Sequence, residues 1–321
     1  MKIAVTWDYE LFFGESSGSV EKCMLQPTQR LLEIAERQGS NFTFFVDTGY
    51  LTRSKSLKVD LENVALVEKQ IQNWSPKHET ALHIHPHWED ALWENKKWVF
   101  DLQRYKLADF SPENQVEIAK RYFEHLQALS SEKIVSYRAG GWCIQPFEPV
   151  EKVFMQLGIN RESSVFVGGK NVTSPYNYDF TNAPKKSKWN FQTEPCVEAE
   201  NGFFTEYPIG AQRYSPLFFW KLFVKGRLRP DLHKSIGDGK AAKGGGTKKE
   251  FLTRSHWLCV SADGYYVTKI QAAINRAEKL GQKELVIIGH PKACTVFSLN
   301  ELEKLIAKNK SKHEFVCLRD L

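Results

Sequence analysis

Four apolar runs in this 321-residue chain each stop on a charged or imidazole side chain. "KIAVTW" gives way to Asp8, Tyr9 and Glu10, and "TAL" to His83, His85 and His87. "KIVSY" ends at Arg138, and "LVIIG" ends at His290. Segments of helical period separate the runs. "PTQRLLEIAERQG" carries Pro27 near its start, Leu31, Leu32 and Ala35 on one face, and Gly39 as a stop. "SPENQVEIAKRYFEHLQALSS" offers Ser111 as N-cap, Pro112 at the first helical position, and Val116, Ala119, Phe123 and Leu126 as the apolar stripe. "PFEPVEKVFMQLG", "TKIQAAINRAEKLG" and "SLNELEKLIAKNK" read as further helices, "NFTFFVDTG" and "EFVCL" as further strands. This alternation predicts parallel strands joined by crossover helices, in an open sheet or a (β/α) barrel. In such folds the strand C-termini share one face, so the four polar clusters can meet there.

Composition narrows the class. A chain of this length with 42% hydrophobic residues has ample material for one barrel-like domain spanning 1–321. The net charge of +6 is too diffuse to argue for nucleic acid, and no RNP-like aromatic motif or zinc-finger spacing accompanies it. Six scattered cysteines without a CxxC pair read as reduced thiols of a cytoplasmic protein. The start, "MKIAVTWDYE", lacks the features of a signal peptide, and no apolar run approaches transmembrane length. No glycine-rich phosphate loop follows the first strand, which counts against dinucleotide binding.

Each polar cluster has a plain reading and a chemical one. His83, His85 and His87 are either a solvated strand face or ligands that, with a carboxylate, suit Zn²⁺ and leave a position for water. Asp8 and Glu10, at alternate strand positions, point the same way and can serve one site. Arg138 is a cation able to orient Asp8. His290 is suited to protonating a leaving amine.

Taken in order, "TWDYE", "HETALHIHPH", "YRAGGW" and "IIGHP" resemble the motifs of the polysaccharide deacetylase family, metal-dependent carbohydrate esterases, from Lys2 to Ala293. The resemblance implies an incomplete (β/α) barrel, commonly of seven strands. It makes Asp8 the general base, His83 and His87 the metal histidines, Arg138 the group that orients Asp8, and His290 the general acid. Trp142, with Tyr9, would wall the substrate pocket. Three departures stand out. Tyr9 replaces the family's second aspartate, leaving Glu10 as the nearest carboxylate ligand. Ala-Gly-Gly-Trp follows the arginine motif differently from the common pattern. His85 has no counterpart and stays open as an alternative ligand. The acidic partner of His290 is one of Asp179, Glu206 or Asp263.

The stretch from about 165 to 250 is irregular and is expected to elaborate the domain, with "SIGDGKAAKGGGTKKE" as a flexible loop. Within it, 214–230 places aromatic bulk beside Lys221, Lys225, Arg227 and Arg229. It is either an interfacial amphipathic helix or a helix buried against the barrel with a basic edge. The implied activity is hydrolysis of an N-acyl group, by expectation N-acetyl, on an amino sugar of surface-polysaccharide assembly. The sugar would be nucleotide- or lipid-linked and the protein cytoplasmic, with membrane contact if 214–230 docks. Two other readings remain: hydrolysis of a different amide, such as a formamide or cyclic ureide, and a catalytically silent carbohydrate-binding barrel.

Overall fold

The computed structural model describes residues 1–242 and 247–321. Its centre is a curled, largely parallel nine-stranded sheet. In chain order the strands are β1 (Lys2–Tyr9), β2 (Thr43–Asp47), β3 (Glu79–Ile84), β4 (Ser136–Ala139), β5 (Arg161–Glu162), β6 (Trp189–Phe191), β7 (Phe204–Glu206), β8 (Glu284–Gly289) and β9 (Glu314–Val316). They lie in the order β6-β7-β5-β4-β3-β2-β1-β8, and β9 also pairs with β1. Only β6 runs antiparallel to its neighbour. β9 and β2 divide one edge of β1, pairing with Lys2–Ala4 and Thr6–Tyr9 respectively.

The helices that matter below are α1 (Gln26–Gln38), α2 (Thr48–Leu57), α3 (Leu61–Trp74), α4 (Pro112–Gln127), α5 (Glu148–Leu157), α6 (Pro216–Leu228), α7 (Ile270–Lys279) and α8 (Val296–Asn309). Their ends follow the sequence signals. The Ser111 hydroxyl accepts from the Asn114 amide at the start of α4, and Gly39 closes α1 in the left-handed region. α2 and α3 follow β2 directly, a helical pair that the sequence reading passes over. Parallel strands covered on both faces read as near-continuous apolar runs, and every residue of β2, β3 and β8 is buried, including the polar Asp47, Glu79, His83 and Glu284 near their ends.

The barrel does not close with a full ladder. Beyond β5 and β7 the chain crosses to β8 through single bridges, Ile209 to Val286 and Ser261 to Ile288. The architecture is therefore the expected incomplete barrel, with nine strands instead of seven because β6 and the C-terminal β9 extend the sheet. The irregular stretch contributes β6 and β7 to this sheet, and α6 outside it. The loop expected to be flexible is tied down over residues 235–242. Ile236 donates to Cys294 O, Gly237 to Lys292 O and Lys240 to Ser16 O. Its positions 243–246 lie outside the described residues.

No helix among the described residues is long and apolar enough to cross a membrane. All six cysteines are free and buried.

Candidate active site

Strand parity decides what each residue of β1 can do. Thr6 and Asp8, with Glu10 just beyond the strand, point into the barrel, while Trp7 and Tyr9 point toward the helices. Trp7 packs edge-on against Phe42, and its ring approaches so closely that a Cβ on Gly289 would lie 2.4 Å from it. Tyr9 is fully buried, edge-on to Trp74, and donates to Gln70 Oε1 at 2.8 Å. Tyr9 is thus a core residue behind the sheet and does not wall the substrate pocket. Trp142 does line the cleft, a space of about 230 Å³ shared with Asp8, Glu10, His83, His85 and His290. Its φ of +60° is unusual for an aromatic residue, and it follows Gly141 at +59°.

Arg138 enters from β4 and is completely buried. Its Nη1 donates to Asp8 Oδ1 at 2.6 Å, Nη2 to Thr6 Oγ1 and Ser163 Oγ, and Nε to the Ser163 carbonyl at 2.7 Å. The guanidinium carbon also sits 4.0 Å from the centre of the Phe45 ring. A buried cation is tolerable only when its donors are satisfied this fully, and removing one partner of such a pair costs about 3–5 kcal/mol. Asp8 is therefore held by a braced group and not by a mobile side chain.

The metal-type ligands come from β1 and β3. Glu10, His83 and His85 each offer a donor atom, all within 4.8 Å of one another and buried. Glu10 Oε2 lies 3.2 Å from His83 Nε2 and 2.6 Å from His85 Nε2, and the two imidazole nitrogens are 3.1 Å apart. His83 Nδ1 faces the Arg138 carbonyl at 2.8 Å. If that nitrogen carries the proton, Nε2 turns a lone pair into the site, as metal-binding histidines require. The titration tendencies agree with three bases competing for one cation. Burial opposes charge on His83, yet Asp8 and Glu10 raise its pKa, whereas burial drives His85 down to about 4. Burial would raise Glu10, but Lys292 and then His85 hold it well below its usual range. Two nitrogens with one carboxylate oxygen, gathered this closely, are a donor set that fits a divalent ion.

His87 corrects the expected ligand pair. Pro86 opens a 3-10 turn directly after His85, which carries His87 away from the ligand face. His87 lies instead among Phe13, Phe100, Trp88 and Tyr105, stacked on Tyr105 at 5.2 Å, and neither ring nitrogen has a hydrogen-bond partner among the described residues. Burial keeps its pKa well below the ordinary value. His85 takes its place because it continues the alternation from His83. Gly140 makes room for it: a Cβ at that position would lie 2.6 Å from His85 Nδ1 and 2.6 Å from the Ile84 carbonyl.

His290 stands just past β8 on the other side of the carboxylates. Its Nδ1 contacts Asp263 Oδ2 at 2.8 Å, and its backbone N–H donates to Asp263 Oδ1 at 2.7 Å. Its Nε2 faces Asp8 at 3.7 Å and Glu10 at 3.8 Å. Burial opposes its charge, but Asp263 and then Asp8 and Glu10 outweigh burial and lift the pKa to about 9. Of the three acids considered as its partner, Asp263 is the one in contact. Asp179 pairs with Lys170 on an exposed hairpin, and Glu206 lies beside Glu162.

Lys292 is the residue that sequence reasoning missed. It is buried, donates to Glu10 Oε1 at 2.9 Å and to the Leu11 carbonyl at 2.6 Å, and lies between the Phe12 and Phe13 rings. Its signal was a cation two positions after His290 in "GHPKA", since a lysine that close to a strand-end histidine shares its site.

No family profile matches this sequence, and no curated protein matches it. Solved structures do. A protein described as a polysaccharide deacetylase from Mycobacterium smegmatis is 15% identical with a TM-score of 0.56, covering 99% of this chain and 87% of that one. Puue allantoinase is 10% identical with a TM-score of 0.52, covering 99% of this chain and 88% of its own. A protein described as a polysaccharide deacetylase from Pseudomonas aeruginosa PAO1 is 12% identical with a TM-score of 0.50, again covering 99% and 88%. The chain has the fold of the polysaccharide deacetylases over nearly its whole length.

Proposed function

We propose that this protein is a metal-dependent hydrolase that removes an N-acyl group, N-acetyl in the first instance, from an amino sugar. The observation that carries the reading is the arrangement around Glu10, His83 and His85. One braced proton acceptor, Asp8 with Arg138, and one braced proton donor, His290 with Asp263, face the same three ligands. A binding barrel has no use for such a pair. The three ligands would hold a divalent ion, Zn²⁺ by their donor chemistry, and it would supply Lewis acidity at the acyl carbonyl and toward water.

The chain's own residues do the rest. Arg138 fixes the Asp8 carboxylate so that its free oxygen can take a proton from attacking water. His290, oriented through Nδ1 by Asp263, presents Nε2 to the departing amine and gives it a proton. Trp142 and Tyr105 wall the cleft beside the acyl group. The substrate class is an amino sugar carried on a nucleotide or a lipid in surface-polysaccharide assembly, met in the cytoplasm.

The comparable likeness to an allantoinase favours a second reading, hydrolysis of a cyclic ureide on the same scaffold. Acetate release from nucleotide- and lipid-linked N-acetyl sugars, run beside allantoin opening, separates the two. Activity should need added Zn²⁺ or a similar ion, and Asp8→Asn should lower it by about 10²–10⁴-fold. A protein that binds no divalent ion, or an Asp8→Asn variant as active as the parent on every substrate, defeats the hydrolase reading.

A further inference from the structure

Outside the cleft, α6 is the element whose surface the hydrolase reading leaves unexplained. It is apolar on two opposite sides. Phe218 and Phe219 face inward and pack with Tyr214, Tyr265 and Tyr266 in a small core of their own. Leu217, Trp220, Val224 and Leu228 recur every three or four residues, so they form one stripe along the helix. All four are exposed, Leu217 at 62% and Leu228 at 73%.

Cations border that stripe. At 100° per residue, Lys221 and Lys225 lie on one side of it and Arg227 on the other. Arg229 is paired with Asp231, whereas Lys221, Lys225 and Arg227 have no carboxylate partner among the described residues. The short helix Lys248–Thr253 packs beside α6 and adds exposed Lys248 and Lys249 to the same region, with Lys248 Nζ 4.9 Å from the Phe223 ring. Residues 243–246, Lys-Gly-Gly-Gly, bring no apolar side chain that could cover the stripe. A second copy is a poor occupant as well, since it would bring the same cations against these.

An apolar stripe with cations on both sides, and an indole among its residues, matches the boundary of a bilayer bearing anionic headgroups. The helix is also placed to use such a contact. Leu222, Phe223 and Arg227 of α6 line a groove of about 490 Å³ together with Phe12, Ala293 and Asp263. Phe12 and Ala293 line the catalytic cleft too, so the groove runs from α6 to its rim. We propose that α6 is an interfacial helix that docks the protein, through Leu217, Trp220, Val224 and Leu228 and the flanking cations, on the surface of an anionic phospholipid bilayer.

The test is sedimentation of the full chain with vesicles of phosphatidylcholine alone and of the same lipid containing about a third phosphatidylglycerol. The protein should pellet with the anionic vesicles only, and less so as salt rises. Removing two cations in Lys221→Gln/Lys225→Gln should weaken partitioning roughly thirtyfold. Val224→Ser/Leu228→Ser should weaken it about tenfold or more. Leu66→Ser, at an exposed leucine of α3, is the control that should leave it unchanged. Circular dichroism checks that each variant is folded. The proposal is overturned if the parent stays in solution with anionic vesicles, or if both α6 variants pellet as the parent does. It is equally overturned if α6 proves to mediate self-association, with a concentration-dependent dimer that Val224→Ser/Leu228→Ser dissolves and no vesicle binding.

Discussion

Two pairs of buried carboxylates lie inside the same barrel and are neutralised in opposite ways. Asp8 and Glu10 are surrounded by cations and potential cations: Arg138, Lys292, His83, His85 and His290. Glu162 and Glu206, directly opposite one another on β5 and β7, have none in contact among the described residues. Glu162 accepts from the amide and hydroxyl of Ser164, and Glu206 accepts from the Val165 amide. Burial first, and Glu162 second, push Glu206 well above the usual carboxylate range. Its Oε2 has no hydrogen-bond partner among the described residues, so nothing there stabilises the charged form. The first pair offers charge to a ligand or substrate. In the second, burial drives Glu206 toward its neutral form, which is what a structural acid in a closed layer requires.

The largest effect should come from breaking the ligand set of the charged pair. His85→Ala should lower bound metal from one equivalent to a small fraction of that, read by elemental analysis of protein purified with excess Zn²⁺. His87→Ala should leave the stoichiometry intact. Equal metal loss in both variants would mean that the turn at Pro86 does not separate the two roles.

Next is the lysine that neutralises Glu10. Without metal, Lys292→Met leaves a buried carboxylate short of its nearest permanent cation and should cost about 3–5 kcal/mol in denaturant unfolding. Added Zn²⁺ should recover more stability in this variant than in the parent, because the ion then supplies the missing positive charge. A variant equally stable with and without metal would show that Lys292 is not the counter-ion.

The smallest effect belongs to the hidden pair. Because the folded pKa of Glu206 is raised, its contribution to stability is complete below about pH 4.3, the ordinary glutamate value, and is lost as pH climbs toward the folded value. Glu206→Gln cannot lose a proton. Its stability relative to the parent should therefore grow with pH above that point, by at most about 1.4 kcal/mol per pH unit. A gap that stays constant from pH 4 to 8 would show that Glu206 titrates as an ordinary acid.

The layout of the charged end was legible because it follows from chain direction alone. Parallel strands bring their C-termini together, so Asp8, His83, Arg138 and His290 met as expected. Some of the rest was legible and misread. Strand parity that points Asp8 and Glu10 inward points Tyr9 outward, so the tyrosine could have been excluded from the pocket without a structure. The choice of His85 over His87 needed the register of one turn, since it rests on where β3 stops being extended. Asp263 could not be singled out, because its contact with His290 spans 27 residues and is set by the bridges that carry the chain past β8. The double-sided character of α6 was also hidden. A helix apolar on both sides has no clear amphipathic pattern, so the sequence could not show which side faces the barrel.

Gly140 has a consequence for how this enzyme-like site can vary. The space it leaves is smaller than a methyl group, and it is filled by the ring of His85 and the carbonyl of Ile84 together. A chain that places a histidine just past β3 in this way is thereby committed to glycine just past β4, and the backbone of the same turn asks for it too. The two positions form a lock and its clearance, 55 residues apart in sequence and each just past the end of one of two neighbouring strands. In a set of related chains, position 140 should stay glycine even where position 85 is no longer histidine, because the Ile84 carbonyl would still meet a Cβ there. A larger residue at 140 would mark instead, by inheritance alone, a chain whose backbone past β3 takes another path.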